Sequence, residues 1–216
     1  PNTRLTPGAP VEATSEALKQ YRLHCTAGLN TKLGQIRDLA PEFEQHWRAL
    51  IQESAAIGGP SIRLSGDATP FPITHHGIRV GYRAPVLAAW IDRPITRLME
   101  IGGGHGRFIR DAAMLMPETK LILTDLPFNL IVSARYLIEN FGHQVNLCLL
   151  PGQTFNPDSR INIIAPWRLD EISVPVDTAC NFLSFQHMDE TSLGWYGDAM
   201  RAMNVQSVFQ VNRNAT

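Results

Sequence analysis

The chain is predicted to be an α/β protein, a mostly parallel Rossmann-like sheet with helices on both faces behind a helical N-terminal segment. Three observations predict it. From Arg97 onward, short apolar runs alternate with amphipathic stretches of helical spacing, the pattern of strand–helix–strand units. A glycine-rich turn, Gly102-Gly103-Gly104-His105-Gly106, joins the first of these strands to its helix. The composition, 44% hydrophobic and 18% charged over 216 residues, is that of a soluble globular chain able to bury a core without a disulfide or metal.

The N-terminal segment, residues 1–95, reads as helical and irregular. Residues 12–23 form a short helix candidate. Pro41 opens a better one, with Phe43, Trp47, Leu50 and Ile51 at helical spacing and Gly58-Gly59-Pro60 to stop it. Residues 58–74, rich in Gly, Pro, Ser and Thr, read as a loop, and Pro85 starts a helix that runs to Ile91. The second unit, residues 96–216, opens with a strand over 98–101 and a helix over 108–116, stopped at Pro117. A second strand covers 121–125. Pro127 then begins an amphipathic helix with Leu130, Ala134, Leu137, Ile138 and Phe141 on one face and Gly142 as its stop. Two apolar runs follow, 145–150 and 161–165, of which only one is expected to be a central strand. A strand over 177–182, a helix over 190–203 and a strand over 207–211 complete the alternation.

Charge narrows the function classes. The 19 basic and 20 acidic residues give a net charge of −1, with 11 and 8 of them in residues 1–97 and 8 and 12 in residues 98–216. Neither half is a polybasic surface, so no nucleic-acid partner is expected. No stretch approaches the ~20 apolar residues of a membrane span, and Pro1-Asn2-Thr3-Arg4 lacks the layout of a signal peptide, so no membrane partner is expected either. Cys25, Cys148 and Cys180 fit neither a CxxC pair nor a disulfide framework. Cys148 and Cys180 sit in apolar runs and read as core residues in a reducing cytoplasm.

The glycine turn carries the chemistry. Glycines between a strand and a helix permit a tight turn and let a ligand approach the backbone beside free helix N–H groups. A dinucleotide fingerprint requires G-x-G-x-x-G, and from Gly102 its sixth position is Arg107, so the match fails and a nicotinamide-dependent oxidoreductase is disfavoured. No Gly-Lys-Ser/Thr is present in the turn, so it is not a P-loop. What fits is an acid followed by glycines at every second residue: Glu100, Gly102, Gly104, Gly106. Asp125 ends the next strand, 23 residues after Gly102, where a carboxylate can accept from both ribose hydroxyls of an adenosine group.

Glu100 to Gly106 together with Asp125 resembles the first two motifs of class I S-adenosylmethionine-dependent methyltransferases. More narrowly, "LMEIGGGHGRF", "LILTDLP" and "NFLSFQHMDE" are similar to the putative sugar O-methyltransferase family of bacteria, over roughly residues 75–213. The resemblance implies S-adenosyl-L-methionine as cofactor and a sugar or glycosylated small molecule as acceptor. It implies that Gly102, Gly104 and Gly106 border the methionine portion, with Glu100 and Gly103 of the same motif also among the cofactor-binding residues, that Asp125 holds the ribose, and that Leu126 lines the adenine side. Pro166 and Trp167 fall where an adenine-contacting strand end is expected; Trp167 either stacks on the base or is a core residue beside a turn. Asn181 and Ser184 leave the fourth strand of the fold beside the transferred methyl.

His187 stands where that family usually has Glu, and either side chain can serve as the base for a hydroxyl acceptor. A structural histidine is the alternative. Asp189 and Glu190 either reach a divalent metal or, more simply, supply favourable charge at a helix start. His75-His76 cannot share one helical face, so no metal site is assigned. Arg79, Tyr82 and Arg83 either line a sugar pocket or serve packing and surface ion pairs. A methyltransferase with a non-sugar acceptor and a non-catalytic binding module of the same fold are the alternatives to the sugar enzyme. In the class I fold the fifth strand is followed by a helix and two more strands, whereas five residues follow 207–211 here. The expectation is therefore a truncated core lacking its C-terminal strands, or an edge covered by the N-terminal segment or by a second subunit in a homo-oligomer.

Overall fold

The computed structural model describes residues 80–212, apart from residues 82 and 92, and the backbone of two short strands, β1 (Ser61–Ile62) and β2 (Phe71–Pro72). The helices expected at 12–23 and from Pro41, together with Cys25, His75-His76, Arg79 and Tyr82, lie outside the described residues. Within the stretch read as a loop, β1 and β2 pair antiparallel over two residues each, a local pairing too short to carry an alternating pattern.

The remaining elements are α1 (Arg83–Trp90), β3 (Arg97–Ile101), α2 (Arg107–Leu115), β4 (Lys120–Thr124), α3 (Pro127–Phe141), β5 (Val145–Cys148), β6 (Ile161–Ile164), β7 (Thr178–Phe182), α4 (Glu190–Ala202) and β8 (Ser207–Val211). Six strands form one sheet in the order β5-β6-β4-β3-β7-β8, and every neighbouring pair is parallel. This is the predicted Rossmann-like sheet. Both late apolar runs are strands: β6 lies inside the sheet, while β5 is its edge.

The inner strands are continuous apolar runs because both of their faces are covered. Leu98, Leu121, Leu123, Ile161, Ile163, Cys180 and Phe182 pack with residues of α1, α2 and α3 on one face. Met99, Ile101, Ile122, Ile164 and Ala179 pack on the other with Tyr196 and Met203, from α4 and its C-cap, and with Leu169 and Ile172, from the turn after β6. Cys148 and Cys180 are buried free thiols, as expected. The face of α3 differs from the reading of its sequence. Leu130, Ser133, Ala134, Tyr136 and Leu137 are buried, whereas Ile138 is 41% exposed and Phe141 is only half-buried. The small Ser133 takes a buried place on the face that packs against Gly106, and Ile138 lies outside that face. A Cβ on Gly106 would stand 3.1 Å from Leu137 and 3.3 Å from Ser133 Cβ.

The sheet order positions the site. The chain leaves β3 toward β4 on one side, and leaves β7 toward β8 on the other. A crevice therefore opens at the carboxyl ends of β3 and β7, where parallel α/β sheets take their ligands. No helix among the described residues is long and apolar enough to cross a membrane.

Candidate functional site

The crevice holds a cleft of about 790 Å³, lined from the carboxyl ends of four strands: Gly102 and Gly104 after β3, Asp125 and Leu126 after β4, Pro166 and Trp167 after β6, and Leu183, Ser184 and His187 after β7. The N-terminal half of α4 closes one wall with Thr191, Ser192, Trp195 and Tyr196. Nine of the candidate site residues singled out in the sequence thus meet in one cavity: Gly102, Gly104, Asp125, Leu126, Pro166, Trp167, Ser184, His187 and Asp189.

Glu100, Gly103, Gly106 and Asn181 are not brought to the cleft, because they face the sheet or the helices beneath it. Asn181 is fully buried, with its amide engaged on both sides. Its Nδ2 donates to Ile101 O at 2.7 Å, and its Oδ1 accepts from the N–H groups of Ser184 (3.2 Å) and Phe185 (3.1 Å). The Ser184 hydroxyl donates to Gly102 O at 2.9 Å. Asn181 is therefore a clamp between the ends of β3 and β7 that fixes the glycine turn, and it does not line the cleft. Gly103 is kept side-chain-free by the core: a Cβ there would meet Glu100 Oε2 and Leu123 Cδ1, each at 2.8 Å.

The turn needs glycine at Gly102, whose φ is +75°. Leu183, directly after β7, takes φ +70° without being glycine, a strained conformation at the cleft wall held by its N–H donating to Val211 O at 2.8 Å. Gly104 lines the cleft, and a Cβ built on it meets nothing within 4 Å. Bare backbone thus faces open space, the cradle that close approach of a cofactor requires.

Asp125 is 6% exposed and forms the polar floor of the cleft. Its Oδ2 accepts from Gly104 N–H at 2.6 Å; its Oδ1 accepts from Leu126 N–H at 2.6 Å and from Asn129 Nδ2 at 3.0 Å. Leu126 (68% exposed) and Trp167 (61% exposed) stand at the rim. Trp167 is consequently not a core residue.

His187 ends a single 3₁₀ turn, Phe185–His187, and is exposed at the cleft. The Gln186 amide nitrogen lies 3.0 Å from its Nε2. With that N–H donating, Nε2 carries the lone pair and the ring proton sits on Nδ1. Asp189 caps α4, its carboxylate accepting from Ser192 N–H at 2.7 Å, and this bond holds its pKa below the usual carboxylate range. The helix-start reading of Asp189 accounts for its position. Arg83 sets its guanidinium 4.8 Å from the centre of the Phe182 ring, on the α1 side of the sheet, and does not line the cleft.

Beneath the turn, Glu100 projects between Leu123 and Cys180, its register partners in β4 and β7. Burial pushes its pKa up to about 8, against the pull of the Arg83 guanidinium and with repulsion from Asp125 and Asp111. Its Oε2 is buried without a hydrogen-bond partner among the described residues, as suits a neutral carboxylic acid.

Residues that sequence reasoning missed are Asn129, Leu183, Thr191, Ser192, Trp195 and Tyr196. For Asn129 a signal existed: an amide four residues after an acid, opening the helix that follows it. Trp195 and Tyr196 read only as part of the helix over 190–203.

No protein-family model matches the chain, and no curated protein matches it. Solved structures of methyltransferases align with it. PKMT2 from Rickettsia typhi, in complex with AdoHcy, shares 12% identity over 54% of this chain and 21% of its own, with a TM-score of 0.41. Coclaurine N-methyltransferase, bound to N-methylheliamine and SAH, shares 10% identity over 90% of this chain and 57% of its own, at a TM-score of 0.45. Human N-acetylserotonin methyltransferase, in complex with SAM, shares 11% identity over 90% and 39%, at 0.37. The chain spans less than two thirds of the length of each. Similarity this low does not extend to substrate or residue roles, and the fold assignment rests on the order and parallel pairing of the strands.

Proposed function

We propose that the protein is an S-adenosylmethionine-dependent O-methyltransferase whose acceptor is a sugar or glycosylated small molecule. The observation that carries this reading is one cleft in which bare glycine backbone, a carboxylate at the end of the second sheet strand (β4), and a histidine after β7 face the same space. The motif resemblance in the sequence supports the choice of cofactor and of acceptor class. Bound there, S-adenosylmethionine supplies an electrophilic methyl group on a sulfonium. Gly102 and Gly104 admit the amino-acid portion against the backbone, Asp125 accepts hydrogen bonds from the ribose, and Leu126 and Trp167 flank the base. His187 takes the proton of the acceptor hydroxyl at Nε2, the Gln186 amide turning away to free its one lone pair, as the hydroxyl oxygen becomes the nucleophile. Proximity and alignment in the cleft supply much of the remaining acceleration.

Two expected results follow from the roles of the side chains. Asp125→Ala weakens binding of S-adenosylhomocysteine by about 1–3 kcal/mol, because charge-assisted hydrogen bonds to the ribose are lost. Unchanged affinity by calorimetry in a folded variant refutes the ribose role. His187→Ala lowers turnover roughly 100-fold while affinity for S-adenosylhomocysteine stays within a few-fold. An equal loss of binding identifies His187 as structural.

The direct test incubates the protein with S-adenosylmethionine and a panel of free sugars, glycosides and phenols, following S-adenosylhomocysteine release and cofactor binding separately. Turnover confined to sugars and glycosides supports the proposal. Turnover on phenols alone moves the acceptor to another class, and binding without turnover across the panel points to a non-catalytic module.

A further inference from the structure

Asp125 offers fewer free acceptor positions than an adenosine ribose requires. An ionised carboxylate has about four lone-pair sites, two on each oxygen. Oδ1 has both of its sites taken, by Leu126 N–H at 2.6 Å and Asn129 Nδ2 at 3.0 Å. Oδ2 has one taken, by Gly104 N–H at 2.6 Å. One site remains for a diol that brings two donors. The residue is 6% exposed, so there is little room for a second hydroxyl to be added without something leaving.

The three donors are not equally able to leave. Gly104 N–H belongs to the glycine turn, which is tied down by Ser184 on Gly102 O and by Gly102 N–H donating to Thr124 O at 2.8 Å. Leu126 N–H is the backbone directly after Asp125, and Leu126 is the N-cap of α3, its carbonyl accepting from Leu130 N–H at 3.0 Å. Asn129 is different. It holds Asp125 by a side-chain amide on the first turn of α3, it lines the cleft, and its bond is the longest of the three. A rotation about its side-chain torsions releases Oδ1 without moving any backbone.

We infer that Asn129 is a displaceable occupant of the ribose site, which holds one acceptor position of Asp125 in the ligand-free protein and surrenders it when both hydroxyls of an adenosine ribose bind. The inference rests on the adenosyl-cofactor reading above and deepens it. Asn129 is then a specificity-setting residue: it makes the second hydroxyl exchange one hydrogen bond for another. Its presence therefore flattens the preference for a ribose over a deoxyribose.

The test measures binding of S-adenosylhomocysteine and of its 2′-deoxy and 3′-deoxy analogues to the wild-type chain and to Asn129→Ala by calorimetry. Alanine is the better helix former, so the first turn of α3 is retained, and circular dichroism checks it. The expected result is about three- to tenfold tighter binding of S-adenosylhomocysteine to the variant, the value of one net hydrogen bond no longer broken. Affinity for at least one deoxy analogue stays near the wild-type value, so discrimination between ribose and deoxyribose rises by the same factor. Equal or weaker binding by the folded variant, or an unchanged ribose-to-deoxyribose ratio, overturns the inference and makes Asn129 a support of Asp125. A wild-type chain that fails to bind S-adenosylhomocysteine overturns the cofactor reading itself, and this inference with it.

Discussion

Gly102→Ala is expected to lower folding stability by about 2–5 kcal/mol, through a left-handed backbone penalty and an overpacked contact acting together. At φ +75°, an L-residue is disfavoured, and its Cβ would stand 2.1 Å from Ser184 Oγ and 2.3 Å from Ser184 Cβ. Ser184 cannot swing clear, because the clash includes its Cβ, and Cβ moves only with the backbone. That backbone is pinned by Ser184 N–H donating to Asn181 Oδ1. The damage therefore passes into the end of β7 and the cleft wall, and binding of an adenosyl ligand should be lost together with stability. Urea unfolding of the single variant and of Gly102→Ala/Ser184→Gly is the check. Ser184→Gly removes the clashing atoms and should restore part of the midpoint, leaving only the backbone penalty. A single variant with the wild-type midpoint would mean that the turn is not packed as described.

The second large effect is on the pH dependence of stability. Folded Glu100 keeps its proton to about pH 8, while the unfolded chain releases it near 4.5. The folded state thus binds more protons between these values, and stability falls as pH rises through that window. The contribution is full below about pH 4.5 and is lost as pH passes about 8. It amounts to a few kcal/mol, since each tenfold difference in proton affinity between the folded and unfolded chain is worth about 1.4 kcal/mol. Asp111, raised to about 6 by burial against the pull of Arg107 and Arg110, adds a slope of the same sign over a narrower range. Glu100→Gln keeps the shape of the side chain and removes the titration. Urea midpoints at pH 5, 7 and 8.5 should decline less in the variant than in the wild type, and the variant should be the more stable at pH 8.5. Parallel curves would show that Glu100 is ionised in the folded protein at neutral pH.

Much of this architecture is legible in the sequence, for a physical reason. Strands buried on both faces are runs such as Leu121-Ile122-Leu123, which tolerate few polar residues, and the helices between them are delimited by Pro127 and Gly142. Residues supplied by strand ends are legible too, because a glycine turn and the acid after the next strand have fixed positions relative to the sheet. Residues supplied by helix faces are not. Trp195 and Asn129 reach the cleft through the orientation of α4 and α3, which depends on packing far along the chain. The close approach of Gly106 to Ser133 and Leu137 is one such packing feature, and spacing alone does not show that Ile138 is left partly exposed. Burial is similarly hidden: Glu100 and Asn181 sit in motifs that suggest ligand contact, yet they serve the turn from below.

The two indole rings at the cleft have a spectroscopic consequence. The chain contains four tryptophans. Trp167 and Trp195 line the cleft at 61% and 43% exposure, while Trp90 packs edge-on to Phe209, away from it. Indole emission shifts toward the blue when water is replaced by a ligand surface, and a stacked purine quenches it. Two of the four tryptophans are therefore placed where an occupant must touch or shield them, so the protein carries its own optical indicator of occupancy and needs no label to report it.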